Sequence, residues 1–545
     1  MFGLVGMRRG GPLLSALLLG GTVPLAAAVL TAATGTAMAF TTLALLGIAL
    51  FNLVFFTALL TAGVHFLGRT IFRILYSLLC LFLSLYLFAY TYHFLLYGQL
   101  IGDPSISALL DTNPQEALEF LNWATDWRRV LLALLAAVLA ALALALTTPR
   151  SVPRPSRRIG LAAVALAGLM LPVGAWHRGI SYFNPGFFLP RSVTNNLLYR
   201  AAAERMQAAL EKNSVGDVTR PIERAATHIL IIGESTTRRH MSLYGYERDT
   251  TPNLRRLAPE LYVAEDVCSS RGQTVPALQE LLTFASREDL APLFEKPSLL
   301  QILKAAGFRT WWLSNQQLYG RWDNWSAILS GPADTRVFVN RVGWGAGVSL
   351  DEQLLAPLTM ALADPAPLKF VIVHLLGAHA EYSLRYAPAF ARFTNVSLPS
   401  TPRRLQGIEI DRYNAYDNAV LYTDHVVAQI IDAARETGEN ASVTFLSDHG
   451  EALGEVSDFH SHIDGPAPRQ VYEIPFTMWI SPALRNRLGA KVEDLRENLT
   501  RPYQTDSVIN TLLDLYGIDH AGRVAERSLF APALRIPVRY CDTLP

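Results

Sequence analysis

Residues 444–455 read TFLSDHGEALGE, an apolar run that ends abruptly in Asp448, His449 and Glu451. Open α/β sheets build their active sites where strands end, so an acid and an imidazole at such a tip predict metal binding. A second apolar run, HILIIGE, also stops on a carboxylate, Glu234. The two strand ends predict one metal-dependent hydrolase or transferase site, with Glu451 outside the ligand shell or acting as a helix-start acid.

The rest of the second half of the chain fits an α/β fold. Short apolar runs alternate there with helical patterns, which predicts a mainly parallel sheet with helices on both faces. The apolar runs lie at 229–232, 310–313, 370–376 and 442–446, and two of the helical patterns lie at 298–306 and 416–435. No internal repeat is evident.

Composition sets the first part of the chain apart. The 545 residues carry a net charge of +1, which excludes the basic footprint of a nucleic-acid-binding protein. Only 17% of the residues are charged, and the mean hydropathy of +0.23 is high for a soluble protein. Residues 10–64 contain no Asp, Glu, Lys, Arg or His. We therefore expect this part of the chain to lie in a membrane.

Five apolar stretches have about the length that a helix needs to cross a bilayer, roughly 20 residues. They lie at 12–33, 40–63, 74–97, 130–148 and 159–176. Three clusters of arginines between them fall on one side, which the positive-inside rule assigns to the cytoplasm. We expect a five-helix transmembrane domain at 1–178 with a cytoplasmic N-terminus, an interfacial linker with an amphipathic helix at 179–221, and an external catalytic domain at 222–545.

The external loop between the third and fourth stretches carries the sequence DTNPQEALEFLN at 111–122. Its first four residues make a good helix start, which predicts a capped amphipathic helix on the membrane surface. The alternative is a contact with a lipid headgroup beside the external domain. In that case Asn113 and Glu116 are candidate substrate-binding residues.

The two strand ends offer three of the ligands that a zinc ion requires. Zn²⁺ takes oxygen and nitrogen donors in a tetrahedron, and a catalytic site keeps one position for the reacting group. Glu234, Asp448 and His449 supply three donors, although Glu234 taken alone is equally explained as a charge at a helix start. The fourth ligand should be a hydroxyl, because a metal lowers its pKa and makes it a strong nucleophile toward phosphorus.

With these motifs the chain resembles the phosphoethanolamine transferases of Gram-negative inner membranes, in the alkaline phosphatase and sulfatase superfamily. The resemblance covers nearly the whole chain and is closest to the branch that modifies lipopolysaccharide core sugars. It is carried by IIGESTTRRHMSLYGYERDTTPNL at 231–254, VCSSRGQTVPALQELLTFA at 267–285, HLLGAHAEYSLRYAPAFARF at 374–393, YDNAVLYTD at 416–424, SDHGEALGE at 447–455 and the outer-loop DTNPQEALEFL.

The resemblance implies that a hydroxyl in the segment CSSRGQTVP is the nucleophile. In the family this residue is usually a threonine, about forty residues after the metal-binding Glu and just before a Val-Pro or similar pair. Here we expect Ser269 to be the nucleophile and the fourth metal ligand, with Ser270 and Thr274 as alternatives. Thr236 also follows the metal-binding Glu, but hydroxyls at that point are better explained as helix caps.

Histidines and an asparagine complete the implied site. His379 follows a predicted strand and is expected in catalysis or substrate binding. Of the two histidines in DFHSHIDGP, we expect His462 to be catalytic and His460 to bind substrate. His462 would protonate the leaving alkoxide or bind a second zinc ion. Asn315, after another strand, is a weaker candidate for substrate binding.

The resemblance implies a covalent mechanism that begins with phosphatidylethanolamine. Ser269 would attack its phosphorus, diacylglycerol would leave, and a lipopolysaccharide core sugar or lipid A would take phosphoethanolamine from the enzyme. One zinc ion is expected, with a second as an open alternative. The protein would be a monomer of the bacterial inner membrane, in contact with membrane lipid, with its catalytic domain in the periplasm and no nucleic-acid partner.

Three rival functions remain to be weighed. A glycerol-phosphate transferase would share the layout but use phosphatidylglycerol, whereas a non-catalytic membrane scaffold would have no reason to keep the whole ligand set. A sulfatase would need a proline after its nucleophile and an arginine four positions on, and Cys268 has neither. Cys268 and Cys541 form the one plausible disulfide pair, and whether it forms is open; Cys80 lies in an apolar stretch.

Overall fold

The structure, a computed structural model, divides the chain into two compact units. One comprises residues 1–110 and 124–199, and the other comprises 111–123 and 200–545. The expected domain boundaries at residues 178 and 221 stay a prediction. The residues that the structure describes are 15–19, 21, 23–26, 42–67, 69–97, 101, 106, 112, 127–146, 155–177, 184–219, 225–316, 325–340, 349–394, 398–438 and 440–544.

The first unit is built from long apolar helices. They are α1 (Thr42–Phe66), α2 (Arg69–Tyr97), α3 (Trp127–Leu146), α4 (Arg157–Trp176) and the first part of α5 (Pro185–Lys212). Among the described residues, the first four of these helices are long and apolar enough to cross a membrane. The expected first stretch at 12–33 falls largely outside the described residues, so the fifth span stays a prediction.

The transmembrane helices pack through aromatic side chains and leave leucines outside. Helix α2 packs against α3, and α1 packs against α4. Phe55 and Tyr76 are buried between helices, whereas Leu85 is 61% exposed, as a side chain facing lipid should be. The buried amides of Asn52 and Asn184 meet in a 2.9 Å hydrogen bond, which satisfies polar groups that would be costly in a bilayer.

The second unit contains a seven-stranded sheet and two small two-stranded sheets. The strands are β1 (Ala226–Gly233), β2 (Leu261–Val263), β3 (Val267–Cys268), β4 (Arg309–Ser314), β5 (Thr335–Phe338), β6 (Leu368–His374), β7 (Asn440–Ser447), β8 (Ala452–Leu453), β9 (His460–Ser461), β10 (Phe476–Ile480) and β11 (Tyr503–Gln504). The large sheet has the order β2-β10-β7-β1-β6-β4-β5, with β7, β1, β6, β4 and β5 parallel. The prediction of a mainly parallel sheet is confirmed.

Helices cover both faces of the large sheet. They are α6 (Pro252–Leu257), α7 (Thr274–Leu281), α8 (Pro292–Glu295), α9 (Leu299–Ala305), α10 (Trp325–Leu329), α11 (Leu355–Leu362), α12 (Ile408–Glu436), α13 (Pro482–Leu488), α14 (Lys491–Asn498) and α15 (Val508–Leu515). Ile229 of β1 shares a core with Tyr416 of α12. The neighbouring His228 points the opposite way and stacks on Tyr516, just after α15, at 4.2 Å. Every residue of β1 is buried, as expected of a central strand covered on both faces.

A disulfide joins β3 to the C-terminal segment. Cys268 and Cys541 are bonded with their Cα atoms 6.4 Å apart, across 273 residues of sequence. Strand β3 pairs with β11 and leads directly into the loop before α7. The disulfide, whose formation could not be predicted from the sequence, is therefore present. It joins the C-terminal segment to the segment that contains the expected nucleophile. Cys80 is unpaired in α2.

Candidate metal centre and active site

Two neighbouring strand ends build the centre of the site. Strands β1 and β7 are parallel partners, with Gly233 opposite Ser447. The residues that follow, Glu234 and Asp448, therefore leave the sheet side by side, and the Asp448 amide donates to the Gly233 carbonyl at 3.1 Å. His449 comes next. The register of the sheet thus brings together side chains that lie more than two hundred positions apart.

Glu234, Asp448 and His449 form a compact, buried cluster. One ligand atom from each lies within 4.8 Å of the others, and none of the three side chains is more than 1% exposed. His449 Nε2 lies 3.2 Å from Glu234 Oε1 and 3.5 Å from Asp448 Oδ2. The Nδ1 atom of the same ring lies 2.9 Å from the Gly450 carbonyl. That contact holds the tautomer in which Nε2 is the free ligand atom.

The electrostatics of the cluster fit a divalent cation. Burial and the nearby charge of Glu234 raise the pKa of Asp448 well above its usual value. Burial would raise the pKa of Glu234 and lower that of His449; instead their mutual contact holds the Glu234 pKa well below normal, and Asp448 and Glu234 raise the His449 pKa to about 10. Within the described residues, the buried Asp448 Oδ2 has no hydrogen-bond partner. Two carboxylates, one of them with an oxygen that has no hydrogen-bond partner, and one imidazole fit zinc.

The hydroxyl beside this cluster is that of Thr274. Its Oγ1 donates to Glu234 Oε2 at 3.1 Å and lies 3.3 Å from His449 Nε2. Thr274 is the first residue of α7. Thr274, one of the alternatives to Ser269, therefore has its hydroxyl in direct contact with two of the three clustered side chains.

The hydroxyls of Ser269 and Ser270 have other partners, so the expected role of Ser269 as nucleophile and metal ligand stays a prediction that this geometry does not favour. The Ser269 hydroxyl bonds to the backbone carbonyls of Asp448 at 2.5 Å and Arg271 at 2.7 Å. The Ser270 hydroxyl lies 3.1 Å from that of Thr505. Both serines are completely buried, and neither hydroxyl has a hydrogen bond to the three clustered side chains among the described residues. The direct adjacency of Thr274 to the Val-Pro pair was the sequence feature that could have identified it.

The hydroxyls after Glu234 shape the turn, as expected of caps. Ser235 has a left-handed backbone with φ of 54°, and its Oγ donates to Glu234 Oε1 at 2.9 Å. Thr236 donates to the Glu234 carbonyl at 3.2 Å, and Thr237 accepts from the Arg239 amide. A strained non-glycine residue next to a ligand is typical of functional sites, where the surrounding structure holds the conformation.

His462 lies next to the centre and is held by a carboxylate. Its Nδ1 is 2.7 Å from Glu451 Oε2, while Tyr382 donates its hydroxyl to Glu451 Oε1 at 2.6 Å. The ring centroids of His462 and His449 are 4.0 Å apart. Glu451 is therefore the partner that orients His462, and the atoms of His449, Glu451 and His462 form a second group close enough to hold a cation.

The turn after β6 packs directly on Glu234. The Ala378 amide donates to the Glu234 carbonyl at 3.0 Å. Gly377 has φ of 53°, and a Cβ there would lie 2.7 Å from the same carbonyl oxygen. His379 follows in this turn and is half-buried. Gln316, which was not predicted from the sequence, contacts the side-chain carboxylate of Glu234: its Nε2 lies 3.5 Å from Glu234 Oε2.

The side chains of two expected substrate-binding residues have partners within the protein. The Asn315 side chain is fully buried and bonds to Asp351 at 2.8 Å and to the Ser349 hydroxyl at 2.5 Å. His460 is buried with Nε2 3.3 Å from Glu409 Oε1. Neither side chain joins the metal cluster, so their expected contact with substrate is not supported by this geometry. Asn113 and Glu116 fall outside the described residues.

The fold and the buried cluster define the class of protein. The Sulfatase family model matches residues 226–518, which include Glu234, Thr274 and both residues of the Asp-His pair. The chain is similar over its full length to an integral membrane lipooligosaccharide phosphoethanolamine transferase A from Neisseria meningitidis, with a TM-score of 0.70 and 20% identity, covering 98% of this chain and 99% of that one. At that identity the likeness shows the fold alone.

Relatives of higher identity establish the family. Phosphoethanolamine transferase EptC of Escherichia coli O18:K1:H7 is 31% identical over 484 residues, and CptA of Salmonella typhimurium is 32% identical over 482; each alignment covers 82% of this chain and 81% of the relative. The periplasmic domain of E. coli EptC in complex with Zn matches with 34% identity and a TM-score of 0.56, over 61% of this chain and 96% of that one. The chain belongs to the phosphoethanolamine transferase family.

Proposed function

We propose that the protein transfers phosphoethanolamine from phosphatidylethanolamine to a lipopolysaccharide acceptor, with Thr274 as the nucleophile. The observation that carries this proposal is the Thr274 hydroxyl, 3.1 Å from one ligand carboxylate and 3.3 Å from the ligand imidazole. The relatives named above as phosphoethanolamine transferases supply the group transferred. The acceptor is taken from the lipid A and lipooligosaccharide named for other relatives.

Glu234, Asp448, His449 and Thr274 would hold one zinc ion, and a second ion near His462 stays an alternative. When bound, zinc lowers the pKa of a ligand hydroxyl and neutralises charge that develops on phosphoryl oxygens. The chain itself fixes the orientation of every ligand. Glu234 accepts a hydrogen bond from the hydroxyl, and the backbone of the two strand ends sets the spacing of the carboxylates.

The reaction proceeds in two balanced half-reactions. Thr274 Oγ1, which has released its proton to solvent before the attack, forms a bond to phosphorus, the bond from phosphorus to the diacylglycerol oxygen breaks, and His462 gives that oxygen a proton. A phosphodiester on Thr274 remains. In the second half-reaction His462 takes a proton from the acceptor hydroxyl, whose oxygen bonds to phosphorus while the bond from phosphorus to Thr274 Oγ1 breaks, and Thr274 leaves in the deprotonated state in which it began. Glu451 holds Nδ1 of His462 and leaves Nε2 for this proton transfer. His379 is proposed to contact the substrate.

The membrane unit suits a donor that stays in the bilayer. Four described helices are apolar enough to span a membrane, and clusters of arginine favour a cytoplasmic N-terminus. We infer an inner-membrane protein whose sulfatase-like domain faces the periplasm, where the outer leaflet presents both donor and acceptor.

Turnover of defined lipids by the purified full chain tests the proposal. Labelled phosphatidylethanolamine and labelled phosphatidylglycerol are each supplied in proteoliposomes with zinc. The proposal predicts diacylglycerol release from phosphatidylethanolamine, loss of that release after chelation and its return with zinc. Faster release from phosphatidylglycerol would overturn the donor in favour of a glycerol-phosphate transferase. No release from either lipid by the zinc-loaded protein would overturn the enzymatic proposal.

A further inference from the structure

A carboxylate outside the metal cluster, that of Asp464, joins the two loops that carry the reacting side chains. Its Oδ1 accepts the Gly272 amide at 3.1 Å, and its Oδ2 accepts Arg271 Nη1 at 3.1 Å. It also forms an ion pair with Arg287. Asp464 thus receives three donors, all of which come from the chain segment around the nucleophile.

The loop at 269–273 is fixed to the nucleophile's helix through Arg271. The Arg271 Nε donates to Glu280 Oε1 at 2.6 Å, and Glu280 is a fully buried residue of α7, the helix that begins at Thr274. The Arg271 guanidinium therefore lies between two carboxylates, one on the nucleophile's helix and one at Asp464. A displacement of Asp464 is transmitted through this arginine to Glu280 in the last turn of α7, and through the Gly272 amide to the residues just before Thr274.

The loop at 462–465 is fixed to the histidine side of the site. At one end His462 is held by Glu451 at 2.7 Å. At the other end the Gly465 amide donates to the Tyr472 hydroxyl at 2.9 Å. Asp464 lies between these two anchors, so its carboxylate has little freedom to follow the opposite loop if that loop moves.

The two loops also touch through their backbones. A Cβ placed on Gly272 would lie 2.4 Å from the Ile463 carbonyl oxygen. That separation admits no side chain at position 272, so the loops approach as closely as glycine permits. The Gly272 amide, which donates to Asp464, lies at the centre of this contact.

We propose that Asp464 is a positioning residue that sets the distance between the Thr274 hydroxyl and the His462 ring. An asparagine at position 464 would keep one acceptor oxygen but lose the charge that holds two arginines. The nucleophile and the proton donor would then lose their common anchor. Among the described residues, Glu234, Asp448 and His449 have no hydrogen bond to Asp464, so the substitution should leave them in place. The inference rests on the proposed function, since it presumes transfer through Thr274.

The test compares Asp464→Asn with Asp458→Asn in the full-length, zinc-loaded protein. Asp458 is a matched control in the same segment, with a side chain 55% exposed and paired with Arg403 at 2.5 Å. A misplacement of about 1 Å costs roughly 100-fold in rate. We expect Asp464→Asn to lower kcat for phosphatidylethanolamine about 10- to 100-fold, with KM and bound zinc unchanged within twofold. Asp458→Asn should match the wild type.

A second variant keeps the proposal testable if Asp464→Asn does not fold. Gly272→Ala forces the same two loops apart without altering a charge, and the same loss of kcat at constant KM and zinc content is expected. Wild-type kcat in folded, zinc-loaded Asp464→Asn or Gly272→Ala would overturn the positioning role, as would a loss confined to KM or zinc content. No turnover by the wild type itself would instead overturn the proposed function, and the positioning role with it.

Discussion

Replacement of a metal ligand should stabilise the metal-free protein. Without a cation, the two carboxylates of Glu234 and Asp448 are buried with ligand atoms within 4.8 Å of each other. Asp448→Asn removes one charge and keeps the Oδ1 contacts with the amides of Ser235, at 3.2 Å, and His449, at 2.7 Å. The new amide group can donate to Glu234. We therefore expect the metal-free variant to be more stable than the metal-free wild type.

The magnitude follows from the charge pair and the orphaned oxygen. Two ionised carboxylates no more than 4.8 Å apart repel by at least about 3 kcal/mol at an effective dielectric constant of about 20, and the protonated His449 ring between them offsets part of this repulsion. An unsatisfied buried acceptor such as Asp448 Oδ2 costs roughly 1–3 kcal/mol. These two descriptions overlap, so the expected gain is about 1–3 kcal/mol. At roughly 2 °C per kcal/mol for a domain of this size, the melting temperature should rise by about 2–6 °C.

The gain should depend on pH in a defined direction. The pKa of Asp448 is raised in the folded state above its usual 3.8. The folded wild type then binds a proton that the unfolded chain releases, so its stability falls as the pH rises above about 4. Asp448→Asn lacks this group, and its advantage should therefore grow from pH 4 toward neutrality.

Calorimetry with and without zinc is the assay. Zinc at one hundred times its dissociation constant stabilises a binding protein by about 2.7 kcal/mol. The wild type should gain that increment, while Asp448→Asn should gain little because it lacks a charged ligand. A metal-free variant that melts below the metal-free wild type, or an equal response of both proteins to zinc, would refute the account of this cluster as a metal site.

Three further outcomes test individual assignments. Thr274→Ala should abolish diacylglycerol release. Ser269→Ala should retain this activity, although the loss of its buried hydrogen bonds should lower the free energy of unfolding by about 1–2 kcal/mol. Comparable activity of the two variants would exclude Thr274 as nucleophile. The hydrogen bond with His460 and the neighbouring arginine outweigh burial and lower the pKa of Glu409 to about 2. Its contribution, about 1–2 kcal/mol once solvent screening is allowed for, is present above pH 4.5 and lost as the pH falls through 2. Glu409→Gln should therefore flatten the acid-unfolding profile, and an unchanged profile would contradict a structural role for this pair. Cys541→Ser removes the disulfide that closes a loop of 273 residues, and it should lower the free energy of unfolding by about 2–5 kcal/mol. The melting temperature should fall, and reductant should cause the same fall in the wild type. A variant as stable as the wild type would show that the bond contributes nothing.

The sequence was sufficient to predict that Glu234 and Asp448 lie together, because the geometry of a parallel sheet is regular. Buried strands that end in Glu234 and in Asp448 are recognisable as apolar runs, and the carboxyl ends of parallel strands meet at one edge. The alternation of strands and helices was sufficient for the fold. These features depend on local patterns of apolar and polar residues, which can be recognised in a single sequence.

Side-chain direction in the loops was not predictable in the same way. Thr274 and Ser269 lie five positions apart. The Val-Pro pair beside Thr274 favoured one of them, but only the folded loop shows that the Thr274 hydroxyl faces Glu234 while the Ser269 hydroxyl bonds to the Asp448 carbonyl. The backbone at Ser461 has φ of 79°. Because of this left-handed conformation, the flanking histidines, His460 and His462, contact different partners although they are two residues apart.

Partners distant in sequence explain why the surroundings of Asn315 could not be predicted. Asn315 follows β4 at the edge of the sheet where the ligands lie, so its amide was expected to face substrate. Its side chain is instead taken up by Asp351, a buried carboxylate that also accepts the amides of Leu376 and Gly377. No local pattern in the sequence predicts a contact of this kind, because the contact depends on how separate loops pack.

The most direct test of the central claim is to locate the covalent intermediate. The zinc-loaded wild type is exposed to phosphatidylethanolamine without acceptor, digested with trypsin and analysed by mass spectrometry. Cleavage after Arg271 separates the peptide with Ser269 and Ser270 from the peptide with Thr274. The account predicts a phosphoethanolamine adduct on Thr274. An adduct on either serine, or normal lipid turnover with no adduct on any hydroxyl, would contradict it.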